Sequence, residues 1–175
     1  MRTRTSGALA LVTVGVVVAA CGSSSSNSSA SASAPASSPN AVSVGTATGS
    51  AGTYLVGASG RPVYLWVADA HDKSVCAGAC AKFWPPLITK AAPVAGSGVT
   101  AGQLGTIIRA GGAKQVTYNG HPLYYFSEDK TKTSFLGQGN TGFGAKWWLV
   151  APSGTAITKN AANSSSASSS TPTGY

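Results

Sequence analysis

Charged residues are scarce in this chain, and acidic residues are the scarcest among them. Only 9% of the 175 residues are charged, with 4 acidic residues against 12 Lys and Arg. Gly, Ser, Ala and Thr are abundant instead, so long helices stabilised by surface ion pairs are not expected. The composition argues against a helical bundle and favours β-strands and loops.

Catalytic and nucleotide-binding motifs are also missing. The chain has no Ser-His-Asp context, no phosphate-binding glycine loop and no dinucleotide fingerprint. Its Lys and Arg residues form no basic run and are not interleaved with aromatics, which argues against nucleic-acid binding. Asp69 and Asp129 could be imagined as paired catalytic carboxylates, but a turn or a bond to a backbone donor explains them better. We therefore expect no enzyme, no catalytic residue and no cofactor.

The N-terminus has the layout of a secretion signal. In MRTRTSGALALVTVGVVVAAC, two arginines precede an apolar run that ends in small residues before Cys21, which predicts a signal peptide over residues 1–20. A transmembrane anchor is the alternative, but the apolar run is shorter than the ~20 residues that span a bilayer. The segment VAAC resembles the bacterial lipobox, whose cysteine receives acyl chains. We therefore predict lipidation of Cys21 and anchoring to the outer face of the cytoplasmic membrane.

Serine-rich segments flank the central part of the chain. Residues 21–45 and 159–175 have too few apolar side chains to offset the entropy of ordering, so we expect a flexible tether and a disordered tail. Residues 46–158 are then one small folded domain. Loss of the signal would lower the net charge from +8 to +6. That charge suits an anionic wall or membrane surface, but it identifies no partner.

A ten-residue pattern occurs twice in the central part. GRPVYLWVAD at 60–69 returns as GHPLYYFSED at 120–129. The motif positions are Tyr64, Trp66 and Asp69 in the first copy and Tyr124, Phe126 and Asp129 in the second. We assign repeat one to about residues 50–92 and repeat two to about residues 106–152.

Hairpin signals indicate the fold class. Asn119 and Gly120 lie between β-branched and aromatic residues, which is the strongest short-range signal for a hairpin, and Ser59 and Gly60 occupy the corresponding place in repeat one. TIIR and AKQVTY predict a second hairpin, and WWLVA predicts a later strand. One short helix is expected around Ser74–Phe83, capped by Ser74. The prediction is an all-β or β-rich single domain of two divergent hairpin-based repeats.

Several segments together suggest a family. YLWVAD, YYFSED, CAGACAKFWPPL and QVTYNGHPLYYF resemble predicted bacterial lipoproteins built from a tandem secreted repeat of unknown function with a Yx(FWY)xxD motif. The resemblance covers about residues 50–152. It implies an extracytoplasmic lipoprotein and carries no established reaction, and the second repeat lacks the cysteine pair of the first.

Cys76 and Cys80 are the remaining residues that could form a covalent bond, undergo redox chemistry or bind a metal. In an oxidising compartment, Cys76 and Cys80 are expected to form a disulfide with α-carbons about 4.4 to 6.8 Å apart. A redox dithiol is a second interpretation, and a copper or zinc site that adds His71 and His121 is a third. His121 replaces Arg61 of the other repeat, so the simpler expectation is an exposed hairpin residue, and His71 is expected in a loop.

The aromatic residues of the repeat motif have two interpretations. In a strand, Tyr64 and Trp66 project from one face while Val63, Leu65 and Val67 project from the other. A strand that is apolar on both faces belongs in a core, so we predict two copies packed around an approximate twofold relation, each covering aromatics of the other. The alternative is an exposed stacking platform for sugars or another flat ligand.

The function expected from these features is non-enzymatic. The chain is predicted to be a surface lipoprotein that binds an envelope component or a protein partner, or supports envelope structure. The alternative is an extracytoplasmic redox or metal-handling protein that uses Cys76, Cys80 and His71.

Overall fold

A computed structural model of the chain describes residues 38–159. The signal segment, Cys21 and most of both serine-rich tails lie outside the described residues. The helices and strands are β1 (Ser43–Gly49), β2 (Gly52–Val56), β3 (Tyr64–Trp66), α1 (Ala79–Phe83), β4 (Ile88–Thr89), β5 (Val94–Ala95), a 3-10 turn (Ala101–Gln103), β6 (Leu104–Ile108), β7 (Lys114–Tyr118), β8 (His121–Pro122), β9 (Thr141–Gly142) and β10 (Ala145–Leu149). The predicted β-rich domain with one short helix is confirmed.

The strands form three small sheets. Their orders are β2-β1-β5, β3-β10-β9 and β4-β7-β6, with β8 paired to β7. All strand pairs are antiparallel except β1 with β5, which are parallel. Strand β1 begins at Ser43, and Val44 is fully buried. The folded part therefore starts within the segment that we assigned to the tether, whose predicted end at residue 45 was too late.

The predicted hairpins form in both repeats. Asn119 and Gly120 both have positive φ, 48° and 75°, as the tight turn between β7 and β8 requires. In repeat one the corresponding turn is longer and is closed by a bond from the Gly57 N–H to the Arg61 carbonyl, 2.9 Å. Because the turn is longer, the segment after it pairs with β2 only through an isolated bridge between Val56 and Pro62, whereas β8 pairs with β7 over two residues.

The predicted helix is present, but it is shorter than expected and begins at a different residue. It spans Ala79–Phe83, its N-cap residue is Gly78, and no side chain caps it. The prediction that Ser74 caps the helix is wrong, because the Ser74 hydroxyl lies 2.6 Å from the Tyr124 hydroxyl instead. The helix ends at Phe83 with Trp84 as its C-cap residue, before two prolines that lack the N–H needed to extend it.

Two clusters of buried side chains lie on opposite faces of the central strands. Tyr64 and Trp66 belong to a cluster dominated by aromatic rings, whereas Val63 and Leu65 belong to a cluster that is mainly aliphatic. This is the alternation expected of a strand that is covered on both faces. Val67 departs from the prediction: it is 58% exposed, because the strand ends at Trp66.

Candidate functional site

The two copies of the motif meet at their tyrosines. The Tyr64 N–H donates to the Tyr124 carbonyl at 2.8 Å, and the Tyr124 N–H donates to the Tyr64 carbonyl at 3.0 Å. A second pair of bonds has the same relation: the Val67 N–H donates to the Lys146 carbonyl, and the Ser127 N–H donates to the Phe83 carbonyl. The repeats are thus related by an approximate twofold axis that passes between Tyr64 and Tyr124.

Each tyrosine of the motif bonds to the aspartate of the other copy. The Tyr64 hydroxyl donates to Asp129 Oδ2 at 2.6 Å, and the Tyr124 hydroxyl donates to Asp69 Oδ2. The motif is therefore completed only when both repeats are present. Neither bond joins residues that are close in sequence.

The second oxygen of each aspartate organises the loop that follows it. Asp69 Oδ1 accepts the Val75 N–H at 2.8 Å, and Asp129 Oδ1 accepts the Leu136 N–H at 2.7 Å. Asp129 Oδ1 also accepts the Ser134 hydroxyl at 3.1 Å. Both carboxylates are therefore occupied on both oxygens, and each connects a tyrosine of one repeat to a loop of the other.

The ionisation of these groups follows from burial. Burial raises the pKa of the Asp69 and Asp129 carboxyls, although the tyrosine hydroxyls and the backbone donors oppose the shift. Burial and the neighbouring aspartate raise the pKa of Tyr64 and Tyr124, which keeps the hydroxyls protonated as donors. This arrangement gives the tyrosines and aspartates that recur in the two copies an architectural role, as predicted for the aspartates.

Four aromatic rings form a continuous stack across the twofold axis. Trp84 and Trp147 lie face to face at its centre, with ring centroids 3.9 Å apart and planes 2° apart. Trp66 stacks on Trp147 at 5.1 Å, and Phe126 stacks on Trp84 at 4.3 Å. Trp66 and Phe126 are only 6% and 9% exposed. Each motif aromatic is thus covered by a tryptophan of the other repeat, and the prediction of a shared core is confirmed.

The cysteines of repeat one are bonded to each other. Cys76 and Cys80 form a disulfide with α-carbons 5.3 Å apart, within the predicted range. Both residues are buried and pack in the aromatic cluster. A dithiol that exchanges with an external partner needs an accessible sulfur, so this placement favours a structural disulfide.

The four residues of the hypothetical metal site do not converge. His71 is exposed and pairs with Asp72, with Nδ1 and Oδ2 3.1 Å apart, while its ring lies against the turn at Gly120. His121 is half-buried rather than exposed as we predicted, and burial together with the nearby His71 lowers its pKa. Among residues 38–159, no three His, Cys, Asp or Glu residues are arranged to hold a metal ion.

A cleft of about 440 Å³ lies between the disulfide loop and the hairpin of β6 and β7. Its walls include Val75, which is 54% exposed, and Ile108, which is 64% exposed. Lys73 of the disulfide loop and Arg109 at the end of β6 also line it. Asp72 is the acidic residue of the lining. The cleft therefore combines exposed apolar side chains with two basic residues and one acidic residue.

Arg109 holds the two sides of the cleft together. Its guanidinium donates to the Ser74 hydroxyl at 2.9 Å, to Gln115 Oε1 and to the Cys76 carbonyl. Neither Arg109 nor Gln115 has a role among the predictions made from the sequence. The one local signal for a polar contact was the Gln115 amide within the strand KQVTY. A Gln side chain that is buried in such a strand requires polar partners.

Comparison with known families identifies the repeats. A family described as a secreted repeat of unknown function matches the chain twice, over residues 45–88 and 105–151. The chain belongs to this family. No curated protein and no solved structure matches it. Membership in a secreted-repeat family indicates an extracytoplasmic location, and within residues 38–159 no helix is long and apolar enough to cross a membrane.

Proposed function

We propose that this secreted-repeat protein is a non-enzymatic envelope module, held at the outer face of the cytoplasmic membrane by acyl chains on Cys21. Its function is to bind an anionic envelope component through the cleft beside the disulfide loop. The lipobox resemblance supports the anchor, and family membership supports the compartment.

The observation that carries the binding role is the composition of the cleft. Val75 and Ile108 are two of the seven large apolar side chains that remain exposed among the described residues, and these two come together at one cleft. Lys73 lies beside them, and the mature chain carries a net positive charge. Asp72 also lines the cleft, but its carboxylate lies 3.1 Å from His71 Nδ1. Apolar walls with a basic group suit an anionic ligand that also has an apolar part.

The motif residues support a binding role over catalysis. Asp69 and Asp129 have both oxygens bonded within the protein, and their tyrosine partners are equally engaged. The redox or metal-handling alternative receives less support, because Cys76 and Cys80 are bonded and buried, and His71 lies apart from them on the surface.

Sedimentation with isolated cell-wall sacculi tests the binding role. The wild-type chain should pellet with the sacculi, and Val75→Asp should release it because the new carboxylate opposes an anionic ligand at the cleft. Val67→Asp is the matched control, since Val67 is an exposed valine that does not line the cleft. Equal binding by the two variants would rule out the cleft as the binding site.

Cell fractionation tests the anchor. Cys21→Ala should convert the protein from a membrane-bound form to a released protein or an uncleaved precursor, because the mature chain has no other apolar span. A processed variant that still fractionates with the membrane would place the anchor elsewhere.

A further inference from the structure

The outer edge of β6 is an open strand edge. The Asn119 N–H donates to the Gln103 carbonyl at 2.8 Å, and the Arg109 N–H donates to the Ala113 carbonyl at 2.9 Å, so odd-numbered residues bond towards β7. Because bonding directions alternate along an antiparallel strand, the N–H and C=O groups at 104, 106 and 108 point away from β7. The Leu104 N–H donates to the Ala101 carbonyl at the end of the 3-10 turn. Within residues 38–159, the Leu104 carbonyl and both backbone groups of Thr106 and Ile108 make no hydrogen bond to another residue.

The equivalent edge in repeat one is covered. Gly45 pairs with Val56 as Gly105 pairs with Thr117, so Val-Gly-Thr at 44–46 corresponds to Leu-Gly-Thr at 104–106. Strand β5 lies along the outer edge of β1 in parallel orientation. There the Val44 carbonyl accepts the Gly96 N–H at 2.7 Å. Strands β1 and β6 therefore occupy equivalent positions in the two repeats, but only β1 has a partner strand along its outer edge.

Between the end of β10 and residue 159, the last residue that the structure describes, repeat two supplies no strand that covers this edge. After β10, the Ala151 N–H donates to the Thr155 carbonyl at 2.8 Å, and the Ile157 N–H donates to the Leu149 carbonyl at 2.9 Å. The chain therefore turns back along β10. The segment after repeat one, in contrast, crosses to β1 as β5.

Strand β6 also lacks the features that usually protect an open edge. Such edges are blunted by lysine, proline or a bulge, and Leu104–Ile108 reads LGTII, with no charge and no proline. Thr106 and Ile108 are exposed. Pairing of β6 with an uncharged strand would therefore meet no repulsion within these five residues.

We propose that β6 of a second copy of this chain covers the edge, in antiparallel orientation about a twofold axis at Thr106. In this register Leu104 faces the partner's Ile108, and Thr106 faces the partner's Thr106. Both ends of the pairing then have apolar cross-strand contacts, which stabilise antiparallel strands. Two chains of net positive charge favour a contact strand that carries no charge. This pairing does not require the lipid anchor. It uses Ile108, which also lines the cleft, so the two proposals are tested at different residues, Thr106 here and Val75 there.

Cysteine cross-linking in the membrane of producing cells tests the proposal on the full chain. Opposed residues that exchange both hydrogen bonds have α-carbons ~5.5 Å apart, which is within the range for a disulfide. Thr106→Cys should therefore give a covalent dimer on a non-reducing gel that is lost on reduction. Thr46→Cys, at the equivalent but covered position, should remain at the wild-type level. Equal dimer in the two variants would overturn the proposal.

Sedimentation of the detergent-extracted chain gives an independent readout. The wild-type protein should associate as its concentration rises, and Thr106→Pro should lose this association, because proline removes an outward N–H that β7 does not use. Circular dichroism shows whether the variant is folded. A wild-type chain that stays monomeric throughout overturns the proposal, whatever the variant does. A cross-linked product with the mass of a different protein would also overturn it.

Discussion

The two repeats share their core and differ at their surfaces. Both have the paired hairpins, the tyrosine that bonds across the axis and a closing tryptophan in the central stack. They differ in the loop after the motif aspartate, which carries a disulfide and a helix only in repeat one. They also differ in the strand edge that is covered by β5 only in repeat one. The shared positions explain the fold, so function should be sought at the positions that differ.

A proline pair shows how far the twofold relation tolerates divergence. From Trp147 to Leu149, strand β10 pairs with β3 over three residues. After Trp84 the equivalent positions are Pro85 and Pro86, and only an isolated bridge from Pro86 to Tyr124 forms. Prolines cannot donate to a ladder. Nevertheless the Pro85 carbonyl accepts the Tyr125 N–H at 2.8 Å, so the path of the chain is preserved.

The largest expected effect tests whether the stack is equivalent in both repeats. Trp66→Ala and Phe126→Ala should each lower the free energy of unfolding by about 3 to 5 kcal/mol, since each removes an end ring of the stack. Urea denaturation measures both. Phe83→Ala is the control, because Phe83 is half-exposed and should cost far less. A folded Trp66→Ala variant with near-wild-type stability would contradict the core assignment.

The next effect tests the exchanged tyrosines. Tyr64→Phe should cost about 1.5 to 3 kcal/mol, because it removes a bond to a buried carboxylate. Tyr124→Phe should cost less, since its bond to Asp69 is only partly buried and water can replace it. Chemical denaturation of the two variants ranks them. The reverse order would show that burial does not determine the strength of these bonds.

Removal of the disulfide should have a smaller and local effect. The chain-entropy model gives roughly 2 kcal/mol for so short a loop. Replacement of Cys76 and Cys80 by serine should accelerate amide hydrogen exchange at 72–78 more than at 131–136, the corresponding loop of repeat two, which has no disulfide. Uniformly faster exchange in both loops would instead assign the disulfide a global role.

The smallest effect is a dependence of stability on pH. Burial raises the pKa of Asp69 and Asp129 in the folded state. Their contribution to the free energy of unfolding is therefore fully present below the pKa of an unfolded aspartate, about 3.9. It is lost as the pH rises through the raised values. Urea unfolding between acidic and neutral pH should show this decline, and Asp129→Asn should flatten it. The opposite result is a stability that rises with pH in the wild type but not in Asp129→Asn. It would show that folding lowers the pKa of Asp129.

The parts of the fold that depend on neighbouring residues could be predicted from sequence. The turn at Asn119 and Gly120 follows from their tolerance of positive φ, and the two cores follow from alternation along β3. Strand β1 was missed at its start because small residues in SVGTATG resemble a linker.

The contacts between distant residues could not be predicted in this way. The exchange of tyrosines and aspartates joins residues 65 positions apart in one case and 55 in the other. Nothing local distinguishes a bond to the same repeat from a bond to the other one. Arg109 likewise gains its role only when the disulfide loop folds over β6, which brings Ser74 and Cys76 within its reach.

The face-to-face pair of Trp84 and Trp147 has a consequence for the origin of the protein. Each repeat contributes one ring of this pair, as subunits do in an isologous homodimer. Joining two such subunits in one chain raises their effective concentration, so the assembly no longer depends on encounter. Joining also removes the symmetry constraint. In a homodimer every substitution occurs twice, whereas a fused chain can acquire a disulfide in one half and keep an open strand edge in the other.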